Sequence, residues 1–368
     1  MQGSRSATPR DGGPPASDEL RRQLQEYYGR VLRGSDDLAT NACCAQGAPP
    51  AWLAGPLSRV HEDVVARFYG CGFPVPGALA GAGVLDLGCG TGRDVYLASQ
   101  LVGPRGFVHG VDMTEAQLEV ARATQDWHME SFGYEKANVA FHLGAIEDLS
   151  RLPIEPGSVD VVISNCVVNL SPRKDLVLRE VARVLKPGGE FHFSDVFCDR
   201  RLPEALAWDP QLHAECLGGA SYGPDFLALA RGAGFLDPRC LTRAPIAIRN
   251  AEIERKVGAA RFESMTLRLF KLAGLEERCE DYGQLATYRG GLVGEEHLFA
   301  LDDHHLFEAG RPERVCGNTA DMLALTRFAP WFDVRGDRSR HFGLFPCGET
   351  LAAQQRAASR GPSSAACC

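Results

Sequence analysis

No stretch of this chain reaches the roughly 20 consecutive apolar residues that a membrane-spanning helix requires. No run of Lys and Arg is long enough to track a phosphate backbone. With 39 basic against 47 acidic residues the formal charge is −8, which speaks against nucleic acid or an anionic membrane as partner. The segment MQGSRSATPRDGGPPAS lacks the apolar centre of a secretory signal. There is no Cys-x-x-Cys spacing, so a structural zinc site is not expected, and no internal repeat. These absences lead to the expectation of a soluble chain of the cytosol, monomeric by default.

Cysteine, by contrast, is plentiful. Thirteen residues, an odd number over 368, do not look like a secreted disulfide framework. In a reducing compartment most would be thiols, available as ligands or redox groups. The length suggests two or three lobes, and an apolar fraction of 45% can build an ordinary core.

The pattern changes along the chain. Residues 1–17, rich in Pro, Gly and Ser, are expected to be disordered. Residues 18–72 should hold helices around a cysteine loop. One helix begins near Ser17-Asp18, a loop over 33–58 contains Cys43 and Cys44, and a second helix lies near 57–69, with Val60, Val64, Val65 and Phe68 at helical spacing. Over 73–198 short apolar runs alternate with helical stretches. The runs are GVLDLG (83–88), GFVHGVDM (106–113), NVAFHLG (138–144), VDVVISNC (159–166) and GEFHFSDV (189–196); the helices fall at 92–102, 114–132 and 172–185. That alternation implies βαβ units in a doubly wound α/β fold with a parallel sheet. Residues 199–250 form a connector, with helices around 202–217 and 223–233 on either side of Gly218-Gly219. Residues 251–345 lose the alternation; LATYRGGLV and HLFALDDHHLFEAG read as short strands and turns of a small α+β domain. The tail, 346–368, is low in complexity and ends in Cys367-Cys368.

VLDLGCGTGRD (84–94) is a strand, a glycine turn and a helix start. Gly88, Gly90 and Gly92 let the backbone pass close under a ligand, and the helix N-terminus favours a carboxylate. The dinucleotide fingerprint asks for Gly where Arg93 stands, which weakens a nicotinamide reading. Asp112 ends the second strand, about 20 residues on, where an acid can grip ribose hydroxyls. Further along, VARVLKPGGEFHFSDV (181–196) ends a helix at a Pro-Gly-Gly turn and drops into a strand closing with Ser194-Asp195. Together these blocks resemble the class I S-adenosylmethionine-dependent methyltransferases over about 80–200. The resemblance implies S-adenosylmethionine as cofactor. Gly88, Gly90 and Gly92 would line the donor's amino-acid end, with Asp86 orienting the loop or the donor ammonium. Asp112 would take the ribose, Met113 the neighbourhood of the adenine, and Ile146 and Glu147 the base. Asn165, ending the fourth strand, would border the methyl group.

Cys166 follows VDVVISN directly, at the mouth where donor and acceptor must meet. Cys71 lies between glycines just before the first strand, and Cys216 precedes Gly218-Gly219. Thiolates gathered from such separate segments would make a soft-metal site. Cys89, inside the glycine turn, reads as a structural thiol. The strings YYGRVL, TNAC, RFYGCG, LDLGCGTGRD, HMESFGY, SNCVVNL, SDVF, ECLGGA and RFESMTLRLFK resemble the arsenite methyltransferases of animals, over about 25–290. The fold this resemblance implies is a class I methyltransferase (Rossmann-like) sheet with an arsenic-binding segment over 199–250. Its substrate would be arsenite or its glutathione conjugate, methylated to mono- and dimethylated arsenicals. Cys166 and Cys216 would bind As(III), joined during the cycle by Cys71 and an N-terminal thiol, for which the TNAC context favours Cys43 over Cys44. A disulfide involving Cys43 and Cys71 would be reset by thioredoxin or glutathione. Two other readings share the donor loop. One is a small-molecule C- or O-methyltransferase with incidental cysteines, which needs a general base. The other is a non-catalytic thiol protein that binds metalloids without methyl transfer.

Overall fold

The computed structural model describes Arg22, Glu26, residues 49–68 and residues 70–346. The helix expected from Ser17-Asp18 lies outside them apart from Arg22 and Glu26, both helical, and so do Cys43, Cys44 and the tail from 347. Two short helices, α1 (Ala51–Ser58) and α2 (Glu62–Val65), precede the alternating region. This region runs β1 (Gly83–Leu87), α3 (Arg93–Val102), β2 (Phe107–Asp112), α4 (Glu115–Ala123), α5 (Gln125–Phe132), β3 (Val139–Leu143), β4 (Val159–Asn165), α6 (Lys174–Val184), β5 (Leu185–Cys198). The chain continues with α7 (Glu204–Ala207), α8 (Pro210–Ala214), β6 (Ser221–Tyr222), α9 (Gly223–Gly232), β7 (Arg239–Pro245), α10 (Ala251–Val257) and β8 (Phe262–Phe270). One sheet of order β3-β2-β1-β4-β5-β8-β7, with β6 on β5, unites all eight strands.

The first five strands pair in parallel, as the alternation implies. Covered on both faces, they carry near-continuous apolar residues: Val159, Val161, Val162 and Ile163 of β4 are all buried. In α6, Val177, Leu178, Val181 and Val184 form one buried stripe against the sheet. Three expected helices differ. The stretch 114–132 breaks at Thr124, whose hydroxyl donates back to the carbonyls of Val120 and Ala121. The stretch 202–217 breaks before Pro210, where Asp209 caps α8 by accepting from Leu212 N at 3.0 Å. The helix expected at 57–69 is split: residues 57–58 end α1, which occupies part of the expected loop, and α2 starts afresh after His61, which caps it through Asp63 N.

The chain expected as a separate domain from 251 contributes β8 to the large sheet instead, antiparallel to β5 from Glu190↔Phe270 to Cys198↔Phe262. The apolar period is masked there because β8 buries Ser264, Thr266 and Arg268. Their polar groups are satisfied: across the sheet Ser194 Oγ and Thr266 Oγ1 lie 2.8 Å apart and Arg268 Nε donates to Glu190 Oε1 at 2.7 Å, while Ser264 Oγ donates to the Cys71 carbonyl at 3.2 Å. Arg327, from the last part of the fold, also pairs with Glu190. That last part comprises β9 (Gln284–Tyr288), β10 (Leu298–Ala300), β11 (Leu306–Glu308), β12 (Pro312–Val315), α11 (Gly317–Ala324) and β13 (Phe332–Arg335). A three-stranded sheet β12-β9-β13 and a β10-β11 hairpin enclose Tyr288, Phe299, Phe307, Phe328 and Phe332. No described helix is long and apolar enough to cross a membrane.

Candidate functional site

A cleft enclosing about 1110 Å³, its open mouth included, lies at the C-terminal ends of β1, β2 and β4, where parallel sheets bind ligands. Asp86, Gly88, Gly90, Asp112, Met113, Ile146, Glu147 and Asn165 line it. Gly92 does not: it starts α3 at φ 89°, and a Cβ there would stand 2.9 Å from the Phe141 ring. Its role is packing. Gly90, at φ 53°, faces open space, so a side chain there would enter the cleft. Asp112 holds the loop in place, accepting from Gly90 N at 2.9 Å and Thr114 N at 2.8 Å. Glu147 accepts from Ser171 Oγ at 2.6 Å.

The cleft is acidic. Burial, then repulsion from Asp94 and Asp112, pushes the Asp86 carboxyl well above its ordinary range, against the pull of Arg93. Burial also raises Asp112, opposed by its backbone hydrogen bonds. Arg93 is buried and committed: Nη2 pairs with Asp94 Oδ1 at 2.7 Å, and the guanidinium lies 3.1 Å from the centre of the Phe68 ring. Four carboxylates, Asp86, Asp94, Asp112 and Glu147, line the cleft against Arg67 and the committed Arg93, which leaves room for a positively charged ligand. The Cys89 thiol is raised by burial and by Asp112 and Asp86, which suits an inert group.

Three of the predicted cysteines meet beside this cleft. Cys71 and Cys166 form a disulfide, with Cα atoms 5.8 Å apart, and Cys166 is part of the cleft wall. The Cys216 thiol donates to the Cys166 carbonyl at 3.4 Å. All three side chains are buried in one cluster, which Cys198 joins. Cys166 (φ 59°) and Cys216 (φ 60°) both adopt left-handed backbone, which costs a non-glycine residue about 1 kcal/mol or more. Each has a local cause. Cys166 turns the chain off β4 while its N–H donates to Ser194 O at 2.8 Å. Cys216 lies just past the Glu215 cap of α8, where the N–H groups of Leu217 and Gly218 return to Leu212 O.

The segment carrying Cys216 is fixed over the strand ends by close contacts. A Cβ on Gly219 would lie 2.0 Å from Asn169 O, so only glycine allows that approach. His213, buried, sits between the carbonyls of Leu170 and Ala207 at 3.2 Å each. Asn169 is tied to Asp195, its N–H reaching Oδ2 at 3.0 Å and its Nδ2 reaching Oδ1 at 2.7 Å. Burial lifts Asp195 to about 6. Sequence reasoning missed Phe68, Asp94, Asn169 and His213 as parts of the site. Asp94 alone carried a signal, as the acid that follows the glycine turn at the helix start.

The methyltransferase domain family matches residues 79–243, and the arsenite methyltransferase C-terminal domain family matches residues 282–368. An arsenite methyltransferase of Aquipseudomonas alcaligenes is 55% identical over 350 residues, which is 95% of this chain and 100% of that one. The arsenite methyltransferase of Mus musculus is 46% identical, covering 86% of this chain and 84% of its own. Among solved structures, CrArsM, an arsenic(III) S-adenosylmethionine methyltransferase from Chlamydomonas reinhardtii, superimposes with a TM-score of 0.78 at 51% identity. The match covers 81% of this chain and 100% of that one.

Proposed function

The chain belongs to the arsenite methyltransferase family, and from that premise we propose that it methylates trivalent arsenic held on Cys166, Cys216 and Cys71. S-adenosylmethionine is the methyl donor of such enzymes, and the cleft residues fit it. Asp112 offers a carboxylate for ribose hydroxyls, Met113 and Ile146 an apolar wall for a base, and Gly90 a side with no Cβ to obstruct it. Asp86, crowded by Asp94 and Asp112, gains from an ammonium beside it. When bound, the donor supplies an electrophilic methyl carbon on a sulfonium.

The protein's own part is to bind the acceptor and place it. Trivalent arsenic is soft and exchanges its hydroxyls for thiolate sulfur. Held on sulfur it keeps a lone pair, so it accepts a methyl group without a general base. The thiol cluster is buried beside the cleft wall, which dries the acceptor and aligns it. Methylation leaves arsenic formally pentavalent. Two thiolates return it to the trivalent state by giving up two electrons as they join in a disulfide. The pair closed here is Cys71–Cys166, whereas the resemblance pointed to Cys43 with Cys71; Cys43 lies outside the described residues. Thioredoxin or glutathione reopens the bond by thiol–disulfide exchange. In this reading arsenite arrives free or as its glutathione conjugate.

The observation that carries the reading is the meeting of three sulfurs, from segments far apart in sequence, at the edge of the donor cleft. The test is product analysis by mass spectrometry, using purified protein, arsenite, glutathione and S-adenosylmethionine. Mono- and dimethylated arsenicals are expected. Consumption of donor only with carbon or oxygen acceptors would instead establish the small-molecule methyltransferase reading, and arsenite binding with no methylated product the non-catalytic one.

A further inference from the structure

A second pair of thiols lies apart from the cleft. Cys316 is fully buried at the start of α11, and Cys279 is half-buried in the wall of a separate hollow that also contains Arg239, Asp302 and His305. The backbone fixes the two cysteines side by side, since Gly317 N donates to Glu280 O at 3.0 Å. The Cys279 side chain is close enough to act on the Cys316 thiol.

Cys316 is surrounded by donors. Thr319 N lies 3.5 Å from its sulfur, Thr319 Oγ1 3.3 Å and Arg239 Nη2 3.9 Å. The Cys279 side chain, then the charge of Arg239 and the Thr319 contacts, hold this thiol down to about 5 in spite of its burial. That lowering favours the thiolate, the form that ligates soft elements. Arg239 is only 8% exposed and its Nε has no hydrogen-bond partner, although the rest of its guanidinium is used by Asp237 and Asp302. A buried donor left unmatched in an otherwise satisfied network points to a ligand with an oxygen to offer.

We propose that Cys279 and Cys316 form a second, two-thiol site for trivalent arsenicals, outside the methyl-transfer centre. The class of ligand rests on the arsenical reading above; the existence of a chelating dithiol does not. With a monosubstituted arsenical R–As(OH)₂, two As–O bonds break and two As–S bonds form. Hydroxide displaced by the Cys316 thiolate takes a proton from solvent and leaves as water. The second hydroxyl leaves as water with the Cys279 proton. No electrons move. Arsenite itself would keep one As–OH, an acceptor for a donor such as Arg239 Nε. A store of this kind would hold product or substrate near the enzyme without occupying the cleft.

Phenylarsine oxide, which prefers paired thiols, is the probe. In the full chain carrying Cys71→Ser, Cys166→Ser and Cys216→Ser, bound phenylarsenic is counted by native mass spectrometry and Cys279 alkylation by iodoacetamide is followed. The expected result is protection of Cys279 by the probe, at least 10-fold in rate. Adding Cys316→Ser should remove that protection and one equivalent of probe. Serine still caps α11 through Thr319 N, so the fold is kept. Circular dichroism and thermal melting establish that before the comparison is made. Unchanged protection and stoichiometry after Cys316→Ser overturn the proposal. So does a probe that never shields Cys279 in the folded parent. Methylation of arsenite by the Cys279→Ser single variant is measured separately and should stay within about 2-fold of the parent protein. Absence of methylation in the unmutated protein would defeat the functional reading while leaving the dithiol result intact.

Discussion

Asn165 grips Gly72 from both sides: its Oδ1 accepts the Gly72 N–H at 3.1 Å, and its Nδ2 donates to the Gly72 carbonyl at 2.9 Å. The same Nδ2 reaches Asp94 Oδ2 at 2.9 Å. Because Asn165 precedes Cys166 and Gly72 follows Cys71, this clamp sets the distance between two sulfurs that are 95 residues apart in the chain. Gly70 completes it, since a Cβ there would press within 2.6 Å of the Asn165 amide.

Asn165→Ala should therefore impair the thiol chemistry before it impairs the fold. It leaves the buried Gly72 N–H unmatched, at about 1–3 kcal/mol if water does not reach it, and the Gly72 carbonyl with only the longer bond from Arg93 Nη2 at 3.4 Å. The reduced variant should close the Cys71–Cys166 bond at least 10-fold more slowly under glutathione disulfide, as measured by thiol titration. A rate equal to that of the parent would show that the clamp does not position the pair.

Cys166→Ser and Cys216→Ser should each abolish arsenic methylation, because an oxygen ligand is a poor substitute for sulfur on a soft centre. Binding of S-adenosylhomocysteine should remain within about 3-fold by calorimetry, since neither sulfur is needed for ribose or ammonium contacts in the proposed pose. Cys71→Ser should impair the first methylation most. Turnover at the parent rate in any of the three removes that residue from the acceptor site.

Asp112→Ala should weaken S-adenosylhomocysteine binding by 10-fold or more. Two contributions add: a lost acceptor for the ribose, and a Gly90 amide released from its 2.9 Å bond. Asp112→Asn keeps an acceptor for Gly90 N while removing the charge, at the cost of the bond from Thr114 N, so its affinity should fall between those of the parent and the alanine variant. Equal affinity in the alanine variant and the parent would place the ribose elsewhere.

Much of this was readable in the chain because parallel strands buried on both faces must be continuous apolar runs. GVLDL and VDVVISN could hardly be anything else, and the glycine turn between β1 and α3 announced a ligand. What escaped was structure built from polar residues. Strand β8 hides Ser264, Thr266 and Arg268 in the interior; Thr266 and Arg268 are matched by Ser194 and Glu190 of β5, and Ser264 by the carbonyl of Cys71, far away in the chain. The sequence shows the residues but not the matching that makes their burial tolerable. Gly92 differs from the expectation for the opposite reason. Its place in the motif suggests ligand contact, yet Phe141 and Tyr96 crowd it and its absent side chain serves packing. For the thiols, chain position suggested Cys166, but only the Asn165–Gly72 clamp shows how Cys71 reaches it.

The Glu190 clamp gives the clearest pH signature. Its side chain is wholly buried, and although burial raises its pKa, Arg268 and Arg327 hold it down to about 2 against an ordinary 4.5. A carboxyl depressed in the folded state stabilises fully above its unfolded value, and that contribution is lost as pH falls from about 4.5 towards 2. The shift corresponds to roughly 3 kcal/mol at neutral pH. Glu190→Gln removes it and leaves two buried guanidinium groups facing a neutral amide, a loss of about 3–5 kcal/mol. Urea unfolding across this acid range should show a stability-versus-pH slope flatter in the variant by most of one proton, about 1.4 kcal/mol per pH unit. Because Glu190 joins β5 to β8 and to Arg327, the transition should involve both the large sheet and the β12-β9-β13 region. Identical slopes in the two proteins would mean that the Glu190 carboxyl is not held down by Arg268 and Arg327 in the folded state, and the ion pairs would then contribute nothing to stability.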